Sequence, residues 1–149
     1  MRISDICTRD AVHVGAAASV REAAELMRNF HVGALVVVDQ PNGERIPVGV
    51  VTDRDIVVSV VAAGVDPQSL AVGDVMRRLP ATCSEDEDVF EAIETMCDRG
   101  VRRLPVVNAK GGLAGMLSTD DIFGALSTHA RELSHALTRE QVREMQLRR

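Results

Sequence analysis

Two short stretches carry the residue types and the spacing from which a binding site could be built. Gly49-Val50-Val51-Thr52-Asp53-Arg54-Asp55-Ile56 sets a hydroxyl three residues before an aspartate, and Gly115-Met116-Leu117-Ser118-Thr119-Asp120-Asp121-Ile122 repeats the order. In each, a glycine and two apolar residues lead into the hydroxyl, which reads as a buried strand running into a helix. The first N–H groups of a helix have no intrahelical partner, so such a junction suits a phosphate or another anion. The aspartate adds two acceptor oxygens, which suit a pair of ribose hydroxyls. The same spacing also serves a purely structural end, because Thr52 with Asp55, and Ser118 with Asp121, can close a capping box without any ligand. Local chemistry leaves both readings open.

The elements that must position these residues recur as well. A helix is expected over residues 20–30, opened by the capping box Ser19-x-x-Glu22, with Ala23, Ala24, Met27 and Phe30 on one face. The apolar run 33–38 reads as a strand buried on both faces, Asn42-Gly43 as the tip of a turn, 46–51 as the returning strand, and 53–63 as a second helix ended near Gly64. The plan then restarts. Val72-Gly73-Asp74-Val75-Met76 matches Ile3-Ser4-Asp5-Ile6-Cys7 at an offset of 69 (72 − 3), and Ser118 matches Thr52 at 66 (118 − 52), the difference falling in the hairpin turn. In the second unit, Asp88-x-x-Glu91 caps a helix to about Arg99, residues 103–107 and 113–117 pair across Lys110-Gly111-Gly112, and a helix starts at Thr119. Each unit reads β-α-β-β-α, a three-stranded sheet with two helices and one apolar face too exposed to stand alone. Two copies packed about a pseudo-twofold axis bury those faces and create two equivalent clefts. The expected division is repeat 1 over 1–64, a linker over 65–71, repeat 2 over 72–127 and a helical tail over 128–149. The tail could pack on the body, engage a partner, or stay solvated.

Bulk composition narrows the class of function. The 149 residues are 46% apolar, yet the only aromatics are three Phe, so the core must be Val, Ile, Leu, Ala and Met. A net charge of −5 makes nucleic acid an unexpected partner. No run of 18 apolar residues suggests a membrane span, and no apolar block follows Met1 as in a signal peptide. Cys7, Cys83 and Cys97 are odd in number and lack CxxC spacing, which fits reduced thiols in a cytoplasmic protein, with Cys83 and Cys97 read as buried apolar residues. His13, His31, His129 and His135 show no metal-ligand spacing, so no metal is expected.

The doubled junction, the Asp-Ile/Val openings of the lead-ins and Val101-Arg102-Arg103-Leu104-Pro105-Val106-Val107 together resemble a tandem pair of cystathionine-β-synthase (CBS) domains, a Bateman module, over about residues 1–127. The resemblance implies an α+β fold of two CBS repeats plus a C-terminal helix. It implies a regulatory module, not an enzyme, that binds AMP, ADP, ATP or another adenosyl compound, with no required cofactor. Asp55 and Asp121 would hold ribose hydroxyls, and Thr52 and Ser118 would line the phosphate end. The base facing Asp55 would lie among Ala81, Val101, Arg102 and Arg103, near Thr82; that facing Asp121 among Val12, Val32, Gly33 and Ala34, near His13. Arg54, Arg102 and Arg103 favour phosphate at the Asp55 cleft, whereas Asp120 beside Asp121 repels it. Family members often dimerise, so a homodimer through the helix faces of 20–30 and 53–63 is expected, together with a regulated partner protein. The alternative is a ligand-free interaction protein that recruits its partner through the C-terminal helix.

Overall fold

Helix α2 (Val20–Phe30) starts where a capping box dictates: the Ser19 hydroxyl accepts from the Glu22 N–H at 3.1 Å, and the Glu22 carboxylate accepts from the Ser19 N–H at 3.3 Å. Its Val20, Ala23 and Met27 are buried. The computed structural model describes residues 1–40, 43–78 and 81–148, so the expected turn tip at Asn42 lies outside the described residues. Strand β3 (Ala34–Asp39) buries Leu35 to Val38 without interruption, as a strand covered on both faces must. It lies between β2 (His13–Gly15), parallel, and β4 (Ile46–Thr52), antiparallel. The second half repeats this: β7 (Arg103–Val107) lies between β6 (Cys83–Ser84), parallel, and β8 (Leu113–Ser118), antiparallel. Helix α5 (Val89–Arg99) corresponds to α2 and ends at Gly100, whose φ of 64° suits a residue without Cβ.

Each sheet gains a fourth strand that the sequence pattern does not reveal. Strand β1 (Thr8–Arg9) pairs with β8 of the second half, and β5 (Arg77–Arg78) pairs with β4 of the first. The lead-ins before them are short helices, α1 (Ile3–Ile6) and α4 (Val72–Val75), and they too cross over. Ile3 is buried with Val89, Ala92, Met96 and Leu104; Val72 is buried with Ala23, Met27, Leu35 and Val51. The backbone repeats the exchange bond for bond. The N–H groups of Ile3, Ser4 and Val89 donate to the carbonyls of Glu87, Glu85 and Met1, and those of Val72, Gly73 and Val20 donate to Ala18, Ala16 and Leu70. Donor and acceptor shift by the same 69 positions but trade halves, which is what a pseudo-twofold axis between the repeats requires. Two glycines admit the crossing strands: a Cβ on Gly49 would lie 2.8 Å from the Arg77 carbonyl oxygen, and one on Gly115 would crowd that of Thr8.

Five local expectations are corrected or sharpened. Phe30 is 59% exposed, because α2 ends at that residue and His31 turns the chain away in a left-handed conformation. The helix after Thr52 is α3 (Asp53–Ile56) followed by a π-helical stretch, Val57–Val61, closed by the Ala62 N–H on the Val57 carbonyl at 2.9 Å. Asp88 caps α5 through the Phe90 N–H at 2.9 Å, with no reciprocal bond from Glu91. Cys97 is exposed, one residue and so about 100° around the helix from buried Met96, while Cys83 is buried as expected. Finally, α6 (Thr119–Leu147) is one continuous helix, and the tail stripe of Ala130, Leu133, Ala136, Leu137 and Met145 is exposed rather than docked on the body.

Candidate ligand-binding clefts

Both junction motifs close complete capping boxes. Thr52 Oγ1 accepts from the Asp55 N–H at 3.1 Å while Asp55 Oδ2 accepts from the Thr52 N–H at 3.0 Å. Ser118 Oγ accepts from the Asp121 N–H at 3.2 Å while Asp121 Oδ2 accepts from the Ser118 N–H at 2.8 Å. In the second box the Ser118 hydroxyl also donates to Asp121 Oδ2, at 2.8 Å. Capping, however, accounts for only one oxygen of each carboxylate.

The other oxygen separates the two motifs. Asp55 is 6% exposed, the sole buried charged side chain among the described residues, and its Oδ1 accepts from Arg77 Nε at 3.0 Å. Arg77 itself is 75% exposed, so a dry carboxylate is matched by a wet guanidinium. Asp121 is only partly buried, and its Oδ1 has no protein partner among the described residues. The repeat explains the difference, since position 8 corresponds to 77 and is Thr8.

Each carboxylate lines its own cavity between the halves. That at Asp55 measures about 510 Å³ and is walled by Thr52, Asp53 and Arg54 of the β4–α3 junction, by Arg77 and Arg78 of β5, and by Gly100 to Arg103 entering β7, with Gly33 and Val50 completing it. That at Asp121 measures about 250 Å³ and is walled by Ser118, by Thr8, Asp10, Ala11 and Val12, by Val32, Gly33 and Ala34, and by Arg103 and Met116. The first volume lies within the usual range for small-molecule sites, and the second falls just short of it. Five arginines and two aspartates line the first cavity; one arginine and two aspartates line the second. Arg77, Arg102 and Arg103 of the first correspond to Thr8, Gly33 and Ala34 of the second, at the offset of 69.

Of the residues singled out from sequence, the structure gathers Thr52, Arg54, Asp55, Val101, Arg102 and Arg103 around one cavity and Val12, Val32, Gly33, Ala34, Ser118 and Asp121 around the other. It leaves four elsewhere. Ala81 packs against the core of the second half and Thr82 is exposed, and neither lies in the wall of the Asp55 cavity. Asp120 is exposed and outside both cavity walls. His13 lines a separate cavity beside Val14 and Gly15, its Nδ1 3.2 Å from the Ala11 carbonyl oxygen. Among the residues that sequence reasoning missed are Arg77 and Arg78, together with Thr8 and Asp10. Their signal was present: the lead-in match at 69 continues to 8–9 and 77–78, but two residues are too few to read as a strand. Among the described residues no three His, Cys, Asp or Glu side chains gather as metal ligands, and no helix is long and apolar enough to cross a membrane.

The CBS domain family model matches residues 3–62 and again 72–128. The chain belongs to the CBS domain family. Among its relatives, the uncharacterized protein YlbB of Bacillus subtilis is 35% identical over 130 residues, spanning 87% of this chain and 85% of that one. The uncharacterized protein MK0525 of Methanopyrus kandleri is 33% identical over 121 residues, 81% of this chain but only 60% of its own. Among solved structures, the CBS domain protein PAE2072 of Pyrobaculum aerophilum, complexed with AMP, superimposes with a TM-score of 0.71 at 31% identity, covering 81% of this chain and 89% of that one. The CBS match ends at residue 128, so the rest of α6 lies beyond it.

Proposed function

We propose that this CBS pair is a non-catalytic regulatory module that binds an adenosine-containing ligand, AMP-, ADP- or ATP-like, in the cleft beside Asp55. The observation that carries the proposal is the arrangement around that carboxylate: a buried acid at a helix start, between the repeats, faced by five arginines. Asp55 is the acceptor for ribose hydroxyls, and Thr52 with the α3 N-terminus and the arginines forms the phosphate end. Crystallisation of the PAE2072 relative with AMP supports the ligand class. The Asp121 cleft, smaller and poorer in positive charge, is the weaker site for an anion and better suited to an uncharged adenosyl group. Binding bridges the two halves and shifts the module between conformations or oligomeric states, by as much as the ligand's affinities for those states differ. The module acts as a homodimer on a regulated partner.

Calorimetric titration with AMP, ATP, NAD and S-adenosylmethionine tests this. Asp55→Ala abolishes binding of the anionic ligands and Asp121→Ala does not; the absence of any binding at millimolar concentration overturns the proposal. A second reading, a ligand-free interaction protein, is favoured by one observation. Both hydroxyl–aspartate pairs already close capping boxes, while the exposed stripe of α6 offers a surface for a partner.

A further inference from the structure

The position of Arg77 on Asp55 bears on which ligands the cleft admits, given the reading of Asp55 as the ribose acceptor. One oxygen of that carboxylate already accepts from the Thr52 N–H inside the capping box, which leaves the other as the more open acceptor for a ribose hydroxyl, and Arg77 Nε lies on it at 3.0 Å. We propose that Arg77 is the cleft's selectivity residue, an internal occupant of the ribose position that changes partner from Asp55 to the phosphate chain of an incoming nucleotide. A ligand with phosphates displaces Arg77 and gives it a new anion. An unphosphorylated nucleoside displaces it and offers nothing in return.

Three features of the structure carry this. Arg77 is 75% exposed and lies on a two-residue strand, so its side chain can swing without unpacking the core. It lines the same cavity as Arg54, Arg78, Arg102 and Arg103, where the positive charge exceeds that of the two aspartates and a phosphate chain would lie. In the second cleft Thr8 stands at its position and Asp121 Oδ1 has no protein partner among the described residues, so a nucleoside meets no competitor there. The two clefts therefore differ in ligand class: phosphorylated ribonucleosides at Asp55, unphosphorylated ones at Asp121.

The test is a titration of the full chain with adenosine, AMP and ATP, carried out in an Asp121→Ala background so that only the first cleft is read. Arg77→Ala and Arg77→Gln are compared with the parent, and thermal melting confirms that each is folded. The ratio of ATP to adenosine affinity falls by about tenfold or more in both variants, the scale of one charge-assisted contact, with adenosine binding tighter than in the parent. An unchanged ratio, or an equal loss for all three ligands, overturns the exchange while leaving the ribose reading intact. If the parent binds none of the three at millimolar concentration, the ribose reading falls and the exchange falls with it.

Discussion

The hydroxyl–aspartate pair does two jobs at one place, and the two can be separated by substitution. Thr52→Ala removes the Oγ1 acceptor of the Asp55 N–H but leaves the carboxylate in place. It is expected to cost about 1 kcal/mol of stability, as loss of an N-cap does, in a urea titration. Sequence spacing disclosed this pair, since a hydroxyl three residues before an acid has few other local uses, and the family resemblance supplied Val101, Arg102 and Arg103 of the facing wall. It did not disclose Arg77, because a long side chain on an exposed two-residue strand leaves no periodic trace. A second residue-scale prediction concerns Cys83, whose thiol is pushed up to about 12 from its ordinary 9.0, chiefly by burial and then by Glu87. Between those values the unfolded chain loses the thiol proton and the folded chain keeps it. That contribution to stability is complete below pH 9 and declines as the pH rises toward 12. Native protein at pH 8.5 should accordingly leave Cys83 unalkylated by iodoacetamide, while protein in denaturing urea alkylates it; peptide mass mapping reads the difference.

Among the elements, the lead-ins are the ones whose placement the sequence hides. Their repeat at 69 residues is plain, but apolar spacing is the same whether Ile3 meets its own half or the other, and a two-residue strand is shorter than any period that could identify it. The helices over 20–30 and 89–99 and the two hairpins were legible, because caps, apolar runs and glycines mark their ends. The π-helical stretch was not: it changes the bond partner from four residues back to five with no residue type that demands it. Because Ile3 and Val72 are fully buried in the opposite half, Ile3→Ala and Val72→Ala should each destabilise the whole chain, by about 2–4 kcal/mol in equilibrium unfolding. Gly115→Ala should cost about 1–3 kcal/mol, since its methyl meets the backbone of Thr8 and β1 must shift to admit it.

At the scale of the molecule, the composition predicted a core of aliphatic residues and methionine, and the buried set agrees, with Cys83 added. All three aromatic residues lie outside it: Phe30, Phe90 and Phe123 are 59%, 61% and 68% exposed. Phe123 and Leu126 border an apolar groove of about 450 Å³ between α5 and α6, and Val57, Val58 and Val61 are exposed on the matching helix of the first half. Large exposed apolar side chains on corresponding helices are what the proposed homodimer needs. Phe123→Asp should raise the dimer dissociation constant by about tenfold or more in sedimentation, as loss of a buried aromatic anchor does. Residues 127–148, by contrast, are exposed throughout. Truncation after Ser127 should leave the stability of the body unchanged to within about 0.5 kcal/mol, and affect only whatever the rod of α6 engages.

The traded arms carry a consequence for how the protein can be taken apart. A fragment of residues 1–68 lacks the strand that borders its own sheet and still holds the one its neighbour requires; residues 69–149 are in the mirror situation. Expressed singly, each should give a spectrum without dispersed amide signals. Mixed, they should rescue one another and regain a cooperative melt, so that severing the polypeptide between the repeats yields a complementing pair instead of two orphans.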